Sequence, residues 1–396
     1  MPTENKLHIL FIASWYPNRN IPDLGNFIQS HARAAALRNK ISVVYASAEK
    51  EMEEGRIEIV EKHSGNLSEY VIYYGKIKSK VPLIGKLKKR EAYRNAIRIG
   101  IENASKRNGA PDLIHVHVIW PAAVAVLPLL GEMKIPLVIS EHWSGYLPED
   151  GNYKGIIQKN FSKQLAEKSK HITVVSSRME NAMRAHGLGK TFSLLPNTID
   201  RNIFNLSAKT KNENAFRLLH VSGLTDREKN ISGLLRVMKR IEKHTEITLQ
   251  VIGEGMERSG HEKLAKELGL LNKTVFFQGY QPSVEIANEM HRSDSLIMFS
   301  NFEGMPVTII EAQCCGLPVI ATRTGFIPEM VKADQGILVE CGNEMELEKA
   351  ILKMQSGKNN YSPSDISTAA LQQYGFDAVG EKLNSLYHSI LKSDER

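Results

Sequence analysis

Cysteine and long apolar runs are both scarce in this sequence of 396 residues. The three cysteines, Cys314, Cys315 and Cys341, are an odd number without the spacing of a metal site. A disulfide scaffold is excluded, and we expect a cytoplasmic chain with reduced thiols. The longest apolar run, residues 118–130, is interrupted by two prolines and does not reach the ~18 residues of a membrane span. The sequence thus predicts no bound metal and no spanning helix.

The N-terminal region lacks the long apolar segment of a secretory signal. One early cation, Lys6, is followed by the apolar residues 7–13, and an aromatic and proline sequence at 15–17 ends the run at once. Such a run is short for a signal peptide and is typical of a first buried strand. Low-complexity segments and short internal repeats are also absent. These absences favour a globular protein over a secreted, fibrous or disordered one.

Apolar residues make up 42% of the chain and charged residues 24%, as in ordinary soluble proteins. A length of 396 residues exceeds one ordinary core and fits two domains of roughly 200 residues each. Pro196 and Asn197, followed by the polar stretch 207–214, mark the break between them. We therefore predict one domain over residues 1–204 and a second over residues 205–375.

Short apolar runs alternate with amphipathic stretches along both halves. Strands are predicted at residues 7–13, 41–46, 113–116, 137–140, 172–176, 217–221, 247–252, 275–278, 295–299, 317–321 and 336–339. Helices are predicted at residues 26–37, 90–106, 153–168, 231–242, 261–268 and 307–315. Such alternation favours parallel sheets covered by helices on both faces. The predicted fold class is α/β, with two tandem Rossmann-like doubly wound domains and a shared ligand in the cleft between them.

The positive charge of the chain is confined to its first half. Residues 1–205 contain 29 Lys and Arg against 19 Asp and Glu, a net charge of +10, whereas the remaining residues carry −3. Nucleic acid and an anionic membrane surface are both possible partners of a basic domain. A basic surface without a specific partner is the third interpretation.

Residues 76–90 are the most basic stretch, with seven cations and no acidic residue. Aliphatic residues alternate with these cations, so the stretch could lie on an anionic bilayer. It could equally be a solvated loop. Nucleic acid is disfavoured, because the stretch contains no aromatic residue for base stacking.

The strongest motif runs from Glu303 to Glu311, between a predicted strand and a predicted helix. Gly304 leaves space for a ligand, and Pro306 suits the first position of the helix. The helix start offers free backbone N–H groups and a positive dipole end, which together favour a phosphate. Two carboxylates would repel that phosphate, so we expect them to accept hydrogen bonds from sugar hydroxyls.

Two other interpretations of Glu303 and Glu311 are open. Both could be solvated surface residues. They could also be the carboxylate pair of a glycosidase, whose members stand ~5–9.5 Å apart. The intervening loop and about five helical residues at ~1.5 Å rise each suggest a wider separation than that.

A second motif, residues 223–230, follows the predicted strand 217–221 and precedes a helix. It places Arg227 and Lys229 at the carboxyl end of a strand in the same domain as Glu303. Arg and Lys are the cations that bind a diphosphate, and they stabilise the charge that grows on it as a leaving group. The other interpretation is an exposed charged loop.

The first half contains weaker signals at the ends of its predicted strands. Gly25 and Asn26 open a helix, where glycine permits close approach of a ligand to the backbone. His115, His117 and His142 lie at or just after strand ends, which places them well for a cleft. They lack companion residues at metal-ligand spacing, and a structural role is the alternative for each of them.

Together these motifs resemble those of glycosyltransferases of family 4, which have the GT-B fold of two Rossmann-like domains. The resemblance extends along nearly the whole sequence, and its most specific part is the E-x7-E motif from Glu303 to Glu311. Other matching segments follow in the family order: residues 112–115, residues 174–176, Pro196 and Asn197 with Asp200 and Phe204, residues 251–255 and residues 316–322.

The resemblance implies retaining transfer of a sugar from a nucleotide-diphosphate donor, with no required cofactor and no essential metal. The catalytic residues it implies are Glu303 at the donor sugar, Lys229 at a phosphate and His142 near the transferred sugar. Glu311 would bind the ribose hydroxyls. The other donor-binding positions that it implies are Gly25, Asn26, Gly253, Tyr280, Gly304, Met305 and Pro306. The last helix, within residues 376–396, would cross back onto the N-terminal acceptor domain.

One position departs from the family pattern. Many members have an arginine where this chain has Leu224, and Arg227 is our candidate for the missing cation. We predict a cytoplasmic enzyme, peripheral on the inner face of the membrane, that moves a hexose-type sugar, with UDP-sugar favoured, to a glycan or lipid-linked glycan in envelope or capsular polysaccharide synthesis. The alternatives are a nucleotide-sugar 2-epimerase and a non-catalytic nucleotide-sugar-binding assembly protein.

Overall fold

The computed structural model describes residues 6–148, 150–207, 215–242, 246–357 and 360–394. The chain forms two compact units, one of residues 1–198 with residues 376–396 and one of residues 199–375. Nearly all of the polar stretch that we predict as a linker, residues 208–214, lies outside the described residues.

The first unit contains one sheet whose strands are β1 (His8–Ala13), β2 (Lys40–Glu49), β3 (Ile57–Ser64), β4 (Leu67–Gly75), β5 (Leu113–His117), β6 (Leu137–Glu141), β7 (His171–Val174) and β8 (Phe192–Leu194). The sheet order is β3-β4-β2-β1-β5-β6-β7-β8, and only β3 and β4 pair antiparallel. The helices between these strands are α1 (Asn26–Ala36), α2 (Pro82–Asn108), α3 (Ile119–Met133), α4 (Ile156–Lys168) and α5 (Ser177–Ala185).

The second unit contains a parallel sheet of β9 (Phe216–Val221), β10 (Ile247–Ile252), β11 (Val275–Gly279), β12 (Ser295–Met298), β13 (Val319–Thr322) and β14 (Gly336–Val339). The order is β11-β10-β9-β12-β13-β14. The helices are α6 (Asp226–Lys229), α7 (Ile231–Ile241), α8 (Arg258–Glu267), α9 (Ser283–Arg292), α10 (Val307–Cys314), α11 (Ile327–Met330), α12 (Glu344–Ser356) and α13 (Pro363–Tyr374).

The final helix, α14 (Phe376–Asp394), belongs to the first unit. Its Val379, Leu383 and Tyr387 are buried in the core of that unit. Gly380 lies against the carbonyl of Ala34 in α1, where a Cβ atom would be 2.4 Å from the oxygen. The chain therefore leaves the first unit, builds the second and returns to complete the first.

The α/β class with two Rossmann-like sheets is confirmed. The central strands are fully buried and mostly apolar, as is typical of parallel strands covered on both faces. The sequence reading missed β3, β4 and β8, and it missed the helices α3, α5, α6, α9, α11, α12 and α13. It also started α2 at residue 90, whereas the helix begins at Pro82 and includes much of the basic stretch.

Candidate functional site

The loop between β12 and α10 buries the first glutamate of the motif. Glu303 is only 7% exposed, and its Oε1 accepts a hydrogen bond from Ser300 Oγ at 2.7 Å. Two further hydrogen bonds fix the loop. Thr322 Oγ1 donates to the Ser300 carbonyl at 2.6 Å, and Phe326 N donates to the Gly304 carbonyl at 3.0 Å. The Glu303 carboxylate is thus held in a fixed position.

Lys229 completes the surroundings of Glu303. Its Nζ lies 2.6 Å from Glu303 Oε1, and the lysine side chain is 20% exposed. The short helix α6 carries this lysine, and the Glu228 carbonyl accepts a hydrogen bond from Asn301 N at 2.8 Å, which ties α6 to the loop of Glu303. The two motifs that the sequence places 74 residues apart therefore meet in one ion pair.

The start of α10 is open to a ligand. An added Cβ at Gly304 would meet no atom within 4 Å. Pro306 precedes the helix with extended backbone instead of occupying its first position, and the helix begins at Val307, as in the predicted range 307–315. Met305 is buried beside it. The first-turn N–H groups of α10 thus follow a loop that a phosphate group could approach.

Glu311 lies in the second turn of α10, and its carboxylate forms no hydrogen bond or ion pair with the residues that the structure describes. Burial raises the pKa of this carboxyl to about 7. A desolvated carboxylate without a donor is costly, so a ligand that offers hydroxyl groups would stabilise its ionised form.

Gly253 and Tyr280 lie on two neighbouring strand ends of the second sheet. Gly253 has a φ of 141°, and a Cβ atom there would be 1.8 Å from the Ser222 carbonyl oxygen. Its N–H donates to the Gly279 carbonyl at 2.8 Å. Tyr280 follows β11 and is 54% exposed. Gly253 is therefore required by the close packing of the backbone, whatever it contributes to a ligand.

Leu224 and Arg227 have opposite environments. Leu224 is fully buried in the core of the second unit and cannot replace a phosphate-binding cation. Arg227 is exposed, and its guanidinium forms no ion pair within the described part of the chain. Asn301 Nδ2 donates to the Arg227 carbonyl at 3.2 Å, so the backbone of Arg227 adjoins the loop of Glu303.

In the first unit, Gly25 caps α1 and Asn26 is the first helical residue. Gly25 has a φ of 65°, and an added Cβ would be 2.6 Å from the backbone of Trp15. Only glycine fits this turn without strain, because both its conformation and its packing exclude a side chain. The loop after β1 is therefore held tightly against the helix that follows it.

His142 belongs to a cluster of aromatic rings that the sequence does not reveal. Its ring stacks on that of His117 at 5.9 Å, and it lies 4.7 Å from Phe27 and 5.2 Å from His31. Burial lowers the pKa of His142 well below its ordinary value, and the neighbouring His31 and His115 lower it further, while Asn197 acts in the opposite direction. His142 is thus an uncharged imidazole at neutral pH.

Glu141 holds the His142 loop in place, and sequence reasoning missed this role. Its carboxylate accepts hydrogen bonds from the backbone N–H groups of Ile119, His142 and Trp143 at 2.9 to 3.0 Å. Tyr146 adds a fourth at 3.1 Å. Burial raises the pKa of this carboxyl, and the backbone donors oppose that shift.

Backbone strain occurs beside the same cluster. Val118 has a φ of 64°, a left-handed conformation that a β-branched residue rarely adopts. Ser14 Oγ donates to the Val118 carbonyl at 2.7 Å and accepts from Ala122 N at 2.9 Å. Such strain persists only where the surroundings fix it, and it concentrates at functional loops.

The described residues contain neither a candidate metal site nor a candidate membrane span. Nowhere in that part of the chain do three side chains of His, Cys, Asp or Glu meet in a way that could hold a metal ion. Likewise, none of the described helices combines the length and apolarity needed to cross a bilayer.

Sequence comparison assigns both halves of the chain to one enzyme class. The family described as Glycosyltransferase Family 4 matches residues 25–202, and that described as Glycosyl transferases group 1 matches residues 202–372. The N-acetyl-alpha-D-glucosaminyl L-malate synthase of Bacillus anthracis is 24% identical over 72% of this chain and 76% of its own. The putative teichuronic acid biosynthesis glycosyltransferase TuaC of Bacillus subtilis is 24% identical over 78% of this chain and 78% of its own.

Solved structures of glycosyltransferases share the fold. Sucrose-phosphate synthase of Thermosynechococcus elongatus superimposes with a TM-score of 0.74 at 17% identity, covering 98% of this chain and 100% of that one. Anabaena HepE in complex with UDP superimposes with a TM-score of 0.71 at 18% identity, covering 97% and 100%. The chain belongs to the glycosyltransferases of family 4, with the GT-B fold.

Proposed function

We propose that this glycosyltransferase transfers a hexose-type sugar from a UDP-sugar to a glycan or lipid-linked glycan, with retention of the anomeric configuration and without a metal ion. The pathway is assembly of an envelope or capsular polysaccharide. TuaC supports the pathway, and the complexes of Anabaena HepE with UDP and with UDP-glucose support the donor. The enzyme works on the cytoplasmic face of the membrane, in peripheral contact through residues 76–90.

The second unit carries the proposal, because it combines a Lys229–Glu303 ion pair, an open loop at Gly304 and an unpartnered Glu311. The diphosphate binds Lys229 and the N–H groups at residues 304–306 and the start of α10. The ribose hydroxyls donate to Glu311, and a hydroxyl of the donor sugar donates to Glu303.

Departure of the diphosphate is the step that these groups assist. Negative charge grows on the leaving phosphate oxygen, where a cation and preorganised N–H donors are most effective. Arg227, exposed and unpaired among the described residues, provides a second cation. Displacement on the front face of the sugar needs no enzymic nucleophile, and the uncharged His142 contacts the sugar as a hydrogen-bonding partner.

A thermal-shift panel tests the donor site. UDP, GDP, ADP and CMP and their sugar forms are added to the wild type, to Glu311→Ala and to Glu285→Ala, a control carboxylate on α9 of the same unit. A ligand at ~100 times its dissociation constant stabilises by about 2.7 kcal/mol. We expect the uridine series alone to raise the melting temperature of the wild type and the control, and Glu311→Ala to abolish the shift.

Turnover separates the enzyme from its alternatives. Sugar transfer is supported if the donor is consumed only in the presence of an acceptor and if Glu303→Ala abolishes this consumption. Binding without turnover under every acceptor would favour a non-catalytic assembly protein, and consumption without any acceptor would favour a 2-epimerase. NMR of the product anomer tests retention, and activity in EDTA tests metal independence.

A further inference from the structure

The first unit contains a groove of about 490 Å³ that includes part of the basic stretch 76–90 but no residue of the candidate donor site. Side chains from α2 and α3 and from the start of α4 line it. Its cationic lining is Lys86, Lys89 and Arg90, and its apolar lining includes Trp120, Val124 and Ile157. The groove therefore offers cations to an anion and apolar surface to a hydrocarbon chain.

The three cations share one face of α2, because they are spaced three and four residues apart. Lys86, Lys89 and Arg90 form no ion pair with the described residues, although their neighbour Lys88 approaches Glu54 at 3.8 Å. Arg90 instead lies over the ring of Phe161 at 5.8 Å. Three cations without a carboxylate partner create a positive potential in the groove.

Tyr93 lines the groove one turn further along α2. It is 8% exposed, and its hydroxyl has no hydrogen-bond partner among the described residues. Burial raises the pKa of this phenol, so it stays a donor across the physiological range. A buried hydroxyl without a partner is costly, and an anionic oxygen in the groove would satisfy it.

Apolar side chains that neighbour the groove residues in sequence are exposed. Leu83 and Leu87, on the first turns of α2, are 70% and 56% exposed, and Ile156 at the start of α4 is 86% exposed. Exposed apolar surface beside a groove with a polar rim is typical of a binding site. A free phosphate would use the cations but leave this apolar surface bare.

We propose that this groove binds one long-chain alkyl phosphate or diphosphate. The phosphate contacts Lys86, Lys89, Arg90 and the Tyr93 hydroxyl, and the first part of the chain lies along Trp120, Val124 and Ile157. The inference deepens the proposed function, on which it rests, because such a lipid phosphate is the carrier to which a glycan acceptor is attached.

Binding of dodecyl phosphate to the full chain, below its micellar concentration, tests the groove by calorimetry. Dodecyl maltoside and inorganic phosphate are the two comparison probes, one with the chain alone and one with the anion alone. The variants are Arg90→Gln and Tyr93→Phe, and the matched control is Lys80→Gln, which removes a charge from the same basic stretch outside the groove. Since the Tyr93 hydroxyl has no described partner, Tyr93→Phe should fold like the wild type.

We expect saturable binding of one dodecyl phosphate, weakened at least tenfold in Arg90→Gln and Tyr93→Phe and unchanged in Lys80→Gln. Dodecyl maltoside and inorganic phosphate should both bind more weakly than dodecyl phosphate. Equal weakening by Lys80→Gln and Arg90→Gln, with no effect of Tyr93→Phe, would overturn the groove in favour of a merely charged surface. Equal affinity for inorganic phosphate would overturn the assignment to a lipid.

Membrane attraction and donor binding are measured separately. The affinity of the protein for vesicles of phosphatidylglycerol and phosphatidylcholine should fall equally in Lys80→Gln and Arg90→Gln, because attraction to a bilayer surface depends on the net charge of the protein. The UDP-dependent thermal shift should be unchanged in Arg90→Gln. If dodecyl phosphate binds but no nucleotide raises the melting temperature, the proposed donor is wrong and the lipid-phosphate groove is supported. If a nucleotide raises the melting temperature but dodecyl phosphate does not bind, only the groove is wrong.

Discussion

Lys229 Nζ and Glu303 Oε1 are 2.6 Å apart, so the cation proposed for the phosphate and the carboxylate proposed for the sugar form one ion pair. Each neutralises the other within the loop, and Ser300 satisfies the same carboxylate oxygen. A diphosphate that attracts Lys229 therefore also changes the environment of Glu303. In the proposed donor site, we therefore expect binding of the two ends of the donor to be coupled through this pair.

The first prediction concerns the stability of that pair. Lys229→Met leaves Glu303 buried with only Ser300 as a donor, and we expect the free energy of unfolding to fall by about 1–3 kcal/mol. The double variant Lys229→Met/Glu303→Gln should regain most of the loss, because no uncompensated charge remains. Scanning calorimetry of the transition of the second unit measures both effects.

Lys239→Met is the matched control, since Lys239 pairs with Glu242 on the surface of the same unit. An exposed pair contributes only about 0–1 kcal/mol. If Lys229→Met were as stable as Lys239→Met, the Lys229–Glu303 pair would not stabilise the loop. The double variant should fold but fail to bind UDP.

The second prediction concerns the pH dependence of donor binding. Glu311 has a pKa of about 7 because it is buried, and hydroxyl donors favour its ionised form. The ionised carboxylate is a stronger acceptor than the protonated carboxyl, so affinity for UDP-glucose should rise as pH increases through 7 and level off above. Between pH 6 and pH 8 the ionised fraction changes by about tenfold.

Calorimetric titration of UDP-glucose at pH 6, 7 and 8 measures this slope, and Glu311→Gln is the control. The amide does not titrate, so its affinity should be weaker and independent of pH over that range. A parallel slope in the wild type and in Glu311→Gln would assign the pH dependence to another group.

The third prediction separates two glycines of the second unit. Gly304→Ala should fold normally, since its Cβ meets no atom within 4 Å, but should weaken UDP binding about tenfold by obstructing the loop. Gly253→Ala should lower the free energy of unfolding by more than about 3 kcal/mol, because its Cβ would clash with the Ser222 carbonyl. The melting temperatures and UDP affinities of both variants test these two expectations. Unaltered affinity in a folded Gly304→Ala would show that no ligand approaches there.

The fourth prediction concerns the loop of His142. Glu141→Gln presents an amide to three backbone N–H donors, and we expect a loss of about 1–3 kcal/mol in stability. Turnover should fall while affinity for UDP is retained, because the loop lies in the first unit. Glu91→Gln, an exposed change on α2, is the control for both measurements. Loss of UDP affinity in Glu141→Gln would contradict the assignment of its effect to the His142 loop.

The sequence predicts the buried parallel strands well, because their apolar runs are short and bounded. The predictions for β10 and β14 agree with the structure at both ends. The β3–β4 hairpin was missed, since its charged and aromatic residues hide the pattern, although Gly65 and Asn66 form a two-residue turn between the strands. The short strand β8 has no strong apolar signal, because two of its three residues are exposed.

Site prediction from the sequence was limited in a similar way. The motifs indicate that Lys229 and Glu303 both lie at strand ends of one sheet, but they do not predict the ion pair. His31 belongs to a helix far from His117 and His142 in the chain, and only tertiary packing places the three rings together. Local patterns predict elements and their ends, whereas contacts between distant side chains depend on the whole fold.

The return of α14 to the first unit has a consequence for biosynthesis. A ribosome completes residues 199–375 before it makes the last helix, so the second unit can fold while the chain is still attached. The core of the first unit must wait for Val379, Leu383, Tyr387 and Ile390. The first unit is therefore translated first but is the last to reach its native state. Until α14 is made, the apolar core of the first unit stays exposed and could bind a chaperone.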